Sequence, residues 1–348
     1  MPTAPPTSAP TARLAPGARP VRTPAPSAPP ATSTPPEPTL GRTSAAPPVT
    51  GTDLRRGFAL GFLGVLIFAL TLPMTRLAVG DASAPQLPPA FVTAGRAAVA
   101  GLLGIAWLLL VRAPWPERRH WGALAISAAG TVLGFPLGIA LALRDVPAMH
   151  AAVVTGLLPL ATAVVGALAV RQRPSAGFWA CAVAGAALVL GFAAWQGSGH
   201  LVAADGWLLM AVAAGAVGYV AGARVSAALP AEQVICWVLV GSLPLTLPAT
   251  LLVWPEAPQL VRTSAWVGFG YAALFSMWLG FFAWYRGLAL GGVVRVSQVQ
   301  LLQPFLALLA AVPLLGERLD AATLVFALAV VGVVFLGKRM PVRARASA

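Results

Sequence analysis

Two arginines, a histidine and a set of hydroxyl and amide side chains stand inside otherwise apolar stretches of this chain. Arg96 lies in VTAGRAAVAG and His150 in PAMHAAVV, while RVSQVQLLQPFLALLAAVPLLGE (295–317) opens with Arg295, Ser297, Gln298, Gln300 and Gln303. An arginine in apolar surroundings with no acid on a nearby turn is suited to hold a carboxylate. Serine, threonine and glutamine supply hydrogen bonds along a polar path, and histidine can carry a proton near neutral pH. The acids fall in the N-terminal tail, in loops or at the ends of apolar runs, so the sequence predicts no buried carboxylate. That leaves facilitated diffusion, exchange, or coupling through His150 or Glu317.

Other chemistries lack their residues. His120, His150 and His200 lie far apart, Cys181 and Cys236 read as small buried residues, and no HExxH or Walker pattern occurs. No nucleophile–base pair is visible either. The sequence therefore predicts neither an enzyme nor a bound metal or cofactor.

These side chains must be positioned by membrane helices. Of 348 residues 58% are apolar and 9% charged, against about 25% charged in a soluble domain. Runs of about 20 apolar residues, enough to cross a hydrocarbon core, are predicted at 57–78, 89–111, 120–142, 147–170, 175–195, 204–224, 232–254, 263–286, 291–315 and 320–338. Residues 1–52, rich in Pro, Ala, Thr and Ser, read as a disordered tail. The net charge of +13 comes from arginines scattered between the runs, not from a basic stripe, so nucleic acid is not an expected partner. Those arginines set topology. With the N-terminus inside, Arg55, Arg56, Arg112, Arg118, Arg119, Arg171, Arg173, Arg224, Arg286, Lys338, Arg339, Arg343 and Arg345 face the cytoplasm, and only Arg76, Arg144, Arg262 and Arg318 face outward. Both termini are expected inside, with residues 341–348 a short basic tail.

A shift of 145 residues lays the second half on the first without a gap. Pro159 falls on Pro304, His150 on Arg295, Thr155 on Gln300, Trp121 on Trp266 and Thr131 on Ser276. Five runs per half is an odd number, so the halves enter the membrane from opposite sides, as inverted repeats do in many transporters. The expected fold is all-α, ten spans in two five-helix inverted repeats, 53–199 and 200–340. At 100° per residue, Ser297, Gln300 and Pro304 share an arc of about 60°, and Thr155, Pro159 and Thr162 form its counterpart. These faces, with the deeper Tyr219 and Ser276, are the predicted pathway lining. Pro159 and Pro304 each free a carbonyl one turn back and mark expected kinks or gates. Arg295, about one turn inside its run, either reaches for headgroups or faces substrate, and His150 is either an interfacial polar group or a titrating one.

The stretches PPAFVTAGRAAVAGL, ALRDVPAMHAAVVTGLLPLATAVVGALAV and ALGGVVRVSQVQLLQPFLALLAAVPLLGERL, together with Gly316-Glu317, resemble the drug/metabolite transporter superfamily, in its EamA-type ten-span group, over about 55–340. The resemblance implies a carrier with alternating access, commonly an exporter of amino acids, other metabolites or drugs, in the bacterial inner membrane. It marks Arg96, Pro159, Pro304 and Glu317 as family-typical positions. The first half departs from it, with Arg171-Gln172-Arg173 where the family usually carries a second glutamate. The expected partners are a small-molecule substrate and the lipid bilayer, and the sequence carries no signal of oligomeric state. The leading expectation is a secondary transporter, with export of an amino acid or other carboxylate-bearing solute suited to Arg96 and Arg295. A multidrug exporter, with an apolar aromatic cavity, is the alternative, followed by a channel or a non-transporting membrane protein.

Overall fold

The computed structural model describes residues 51–169, 173–196, 199–226, 228–291, 296–340 and 342–343. Residues 1–50 of the predicted tail, and Arg295, lie outside them. Among the described residues eight helices are long and apolar enough to cross a membrane: α1 (Thr52–Val79), α2 (Pro89–Leu110), α3 (Arg118–Ala142), α4 (Ala148–Ala169), α5 (Ala176–Gln196), α6 (Ala203–Val225), α7 (Ala231–Leu252) and α8 (Thr263–Leu288). Two shorter apolar helices complete the set, α9 (Val299–Leu315) and α10 (Ala321–Gly337). A 22-residue helix is about 33 Å long, which matches a bilayer core in which every backbone group must be paired within its own segment. Helix α1 starts at Gly51, two residues inside the stretch expected to be tail.

Local sequence sets the helix ends. Pro88, Pro147 and Pro230 stand just before α2, α4 and α7 in extended conformation, where a missing N–H costs nothing. At the far end of α9, Gly316 takes a left-handed φ of +69° and returns its N–H to Val312 O. The N-caps of α5 and α10 are symmetry mates. Ser175 Oγ accepts from Phe178 N at 3.3 Å, and Asp320 Oδ1 accepts from Thr323 N at 2.6 Å.

The two halves interlock. Helix α1 packs on α8 and α3 on α6, while α2 packs on α7, α4 on α9 and α5 on α10. Under the 145-residue shift the first two pairs exchange and the last three map onto themselves, as a pseudo-two-fold axis requires. The α1/α8 and α3/α6 crossings are close because they are lined with glycine. A Cβ on Gly130 would overlap the Ala214 carbonyl, and one on Gly287 would overlap the backbone of Gly57 and Gly61.

Irregular turns repeat too. Both α3 and α8 widen into π-helix, at Ala128–Gly134 and Ala272–Leu279, with Phe135 N bonded to Gly130 O and Gly280 N to Phe275 O. Both α4 and α9 tighten just before their prolines, where Leu157 N reaches Val154 O and where Ser297–Leu302 forms a 3-10 stretch.

The bundle has two unlike ends. One carries the loops with Asp81, Asp145, Glu256, Glu317 and Asp320, and is called the acidic end below. The other carries Arg55, Arg56, Arg118, Arg119, Arg224 and Arg286 and is called the basic end. There Val342–Arg343 pairs antiparallel with Arg173–Pro174, which ties the start of the predicted C-terminal tail to the loop before α5.

Candidate functional site

A cavity of about 990 Å³, counting its open mouth, lies among α1, α2, α3, α4, α6, α8, α9 and α10. It sits at the irregular turns. The π segments bring Thr131 and Ser276 to it, and the tightened turns bring Thr155, Gly156, Gln300 and Leu301. Such breaks are tolerated at membrane depth where freed backbone groups face protein or a wet cavity. Pro159 and Pro304 border the space as well.

Arg96 is the charged residue among the described residues of the wall. It is 4% exposed, and its Nη2 donates to Ser276 Oγ at 3.0 Å. Ser276 Oγ also shares a hydrogen bond of 2.8 Å with Thr71 Oγ1. The Arg96 Nε has no hydrogen-bond partner among the described residues. Among the described residues that line the cavity there is no carboxylate. Tyr219, Gln300 and Gln303 add polar groups to the wall, and Phe68, Phe135, Met277 and Phe281 make the rest of it apolar.

The predicted residues divide into four sets. Arg96, Thr155, Tyr219, Ser276, Gln300, Pro159 and Pro304 are brought together at the cavity. Thr162 is not among its lining residues, and its hydroxyl returns to Leu158 O at 2.8 Å. The arc that joined it to Thr155 assumed one unbroken helix, and the tightened turn at Gly156–Leu157 breaks that periodicity. Arg295 lies outside the described residues, as does the side chain of Ser297. His150 and Glu317 are at the acidic end, away from the cavity. Glu317 uses both carboxylate oxygens on the start of α4, accepting from Ala148 N at 2.7 Å and Met149 N at 2.9 Å. Those are orphan donors of a helix N-terminus, so the carboxylate acts there as a cap supplied by the other repeat.

The structure corrects one expectation. A buried carboxylate does exist, because Asp205 is 2% exposed and its Oδ1 lies 2.7 Å from His150 Nε2. Asp205 reads from sequence as an acid in the first turn of α6, which it is. Burial follows from the packing of α4 on α6, and no local pattern reveals a partner 55 residues away. Thr71 was also missed. It stands with Thr75 in an apolar run and gains meaning only beside Ser276.

Both halves of this arrangement match the same family model. Residues 55–194 and residues 202–337 each fit the EamA-like transporter family. The chain belongs to that family. An uncharacterized transporter of Bacillus subtilis (strain 168), YdeK, is 44% identical over 283 residues, covering 81% of this chain and 97% of its own. A solved crystal structure with 20% identity superposes at a TM-score of 0.55 over 80% of this chain and 95% of its own, a likeness of fold. This EamA-like protein is thus a multi-pass membrane transporter of the drug/metabolite superfamily.

Proposed function

We propose that this protein is a secondary transporter that exports a small carboxylate-bearing solute, an amino acid or another organic anion, by alternating access. The observation that carries the reading is Arg96, buried in the cavity wall with a neutral hydroxyl as its hydrogen-bond partner and with its Nε unpaired among the described residues. An unneutralised guanidinium at membrane depth is costly and is rewarded by an anion that completes its fork. Ser276, Thr71, Tyr219, Gln300 and Gln303 supply hydrogen bonds for the remainder of a polar solute. Arg295 stands in the same proposal from sequence alone.

Inverted repeats around one central cavity support a rocking mechanism. In it, the tightened turns beside Pro159 and Pro304 are the hinges. The excess of arginine at the basic end supports a cytoplasmic location for that end, and so for both termini, in the bacterial inner membrane.

The test is counterflow in proteoliposomes with labelled amino acids, organic anions and cationic drugs. Saturable exchange of a carboxylate, lost in Arg96→Ala and partly kept in Arg96→Lys, is the expected result. The apolar part of the wall favours one second reading, a carrier of amphipathic cations. Exchange of a cationic drug that Arg96→Ala leaves unchanged would establish it and remove the anion site.

A further inference from the structure

We propose that His150 and Asp205 form a proton site that latches the acidic end of the transporter closed. The inference rests on the alternating-access part of the reading above and not on its choice of substrate.

The pair bridges the two repeats, since His150 is on α4 and Asp205 on α6. Both side chains are under 5% exposed, at 4% and 3%. His150 also packs on the Phe192 ring of α5, at 5.1 Å between centroids. Asp205 Oδ1 shares a hydrogen bond of 2.7 Å with His150 Nε2, and its Oδ2 accepts from Val202 N at 2.9 Å. In the proposed site Nε2 donates and Asp205 is the carboxylate, so the exchangeable proton belongs to the imidazole. With the imidazole neutral the pair holds one uncompensated negative charge out of water. With a second ring proton it becomes an ion pair, whose attraction is strongest where water is excluded.

The surrounding charges do not duplicate this role. Glu317, from the loop before α10, is committed to the Ala148 and Met149 amides. Arg76 of α1 donates to the Leu143 and Val146 carbonyls in the loop before α4 and faces Asp81 at 3.8 Å. The Ser83 hydroxyl, bonded at 2.5 Å, and the Ala84 amide hold the Asp81 carboxyl below its ordinary value, so it stays charged. On α10, Asp320 is engaged with Thr323, which bonds Gln196 of α5, and α9 presents amides but no charge among its described residues. Imidazole is the side chain whose charge changes between pH 5 and 8. Of the two imidazoles at this end, His200 is exposed in the loop before α6, and His150 is the one held in a bond between the repeats, so its protonation favours closure.

The site has no mate in the other repeat. By the 145-residue shift His150 corresponds to Arg295 and Asp205 to Leu60, a fixed cation and an apolar residue. The His150–Asp205 pair is thus specific to the acidic end.

The test needs no substrate, so its failure is separable from failure of the anion reading. Spin labels at Asp145→Cys and His200→Cys, both exposed acidic-end positions, in a Cys181→Ala, Cys236→Ala background would report the distance between the starts of α4 and α6 in nanodiscs. The unmutated pair is expected to give one short distance at pH 6 and a second, longer population at pH 8. His150→Gln and Asp205→Asn are each expected to give the same distribution at both pH values. No pH response with the pair intact would overturn the proposal, as would a response that persists in either variant. If one variant fails to fold, the other decides by the same rule.

Discussion

The two repeats share a frame and differ in what they hang on it. Their helix pairs, π segments and tightened turns coincide under one shift, and both crossings are close at glycines, though at positions that do not correspond. Their chemistry does not. Arg96 corresponds to Gly241, His150 to Arg295 and Thr71 to Ala216, while Glu317 corresponds to Gln172. The frame is what lets a bundle rock between two arrangements, and both copies must keep it. The side chains that recognise solute and proton need to occur once, because the cavity is shared and each end is closed separately. Symmetry therefore marks the mechanical parts and asymmetry the specific ones.

The comparison can be broken most severely at the crossings. Gly130→Leu should abolish folded protein in a size-exclusion assay, and Gly287→Leu should do the same, since each new side chain meets backbone and not a movable rotamer. If one crossing tolerates leucine, the mechanical equivalence of the repeats fails. Next comes the asymmetric cavity wall. Arg96→Ala should weaken carboxylate counterflow by about 30- to 100-fold, the scale of a lost charge-assisted hydrogen-bonding pair. Gly241→Ala, at the mate position where a Cβ meets nothing within 4 Å, should leave counterflow and melting temperature unchanged.

A smaller effect is expected at the acidic end. Glu317→Gln removes the charge that caps α4 and leaves one of two amides without an acceptor, for a loss of about 1–2 kcal/mol in thermal stability. The smallest effect is at the paired N-caps. Asp320→Ala should cost about 1 kcal/mol, and Ser175→Ala about half of that because its bond is longer, at 3.3 Å against 2.6 Å. Equal costs would show that the two caps are as alike in energy as in position.

Much of the frame was legible in the sequence because the bilayer imposes it. Apolar length gives the spans, and the alignment of Pro159 with Pro304 and Thr131 with Ser276 gives the repeat. The site was legible where a polar residue is conspicuous by itself, as Arg96 and Gln300 are. It was illegible where meaning arises from pairing. Asp205 looked like an ordinary acid in a first helical turn, and Thr71 like an incidental hydroxyl, until α4 met α6 and α1 met α8. Thr162 failed for the opposite reason. A constant 100° per residue was carried across Gly156–Leu157, where the helix does not keep it. The π segments were equally invisible, since nothing in AAGTVLG or AALFSMWL departs from an ordinary apolar helix.

Those π segments carry a consequence for the evolution of the chain. A π turn accommodates more residues than the α turn it replaces, so it is a stored insertion. Removing one residue from 128–134 can be absorbed by reverting toward α geometry, with Pro136–Ala142 left in register against α6. The same deletion at 120–126, in regular helix, would turn everything beyond it by about 100° and move it by about 1.5 Å. Length variation among related chains should therefore gather at 128–134 and 272–279, and each such change would resize the cavity without unseating the helices around it.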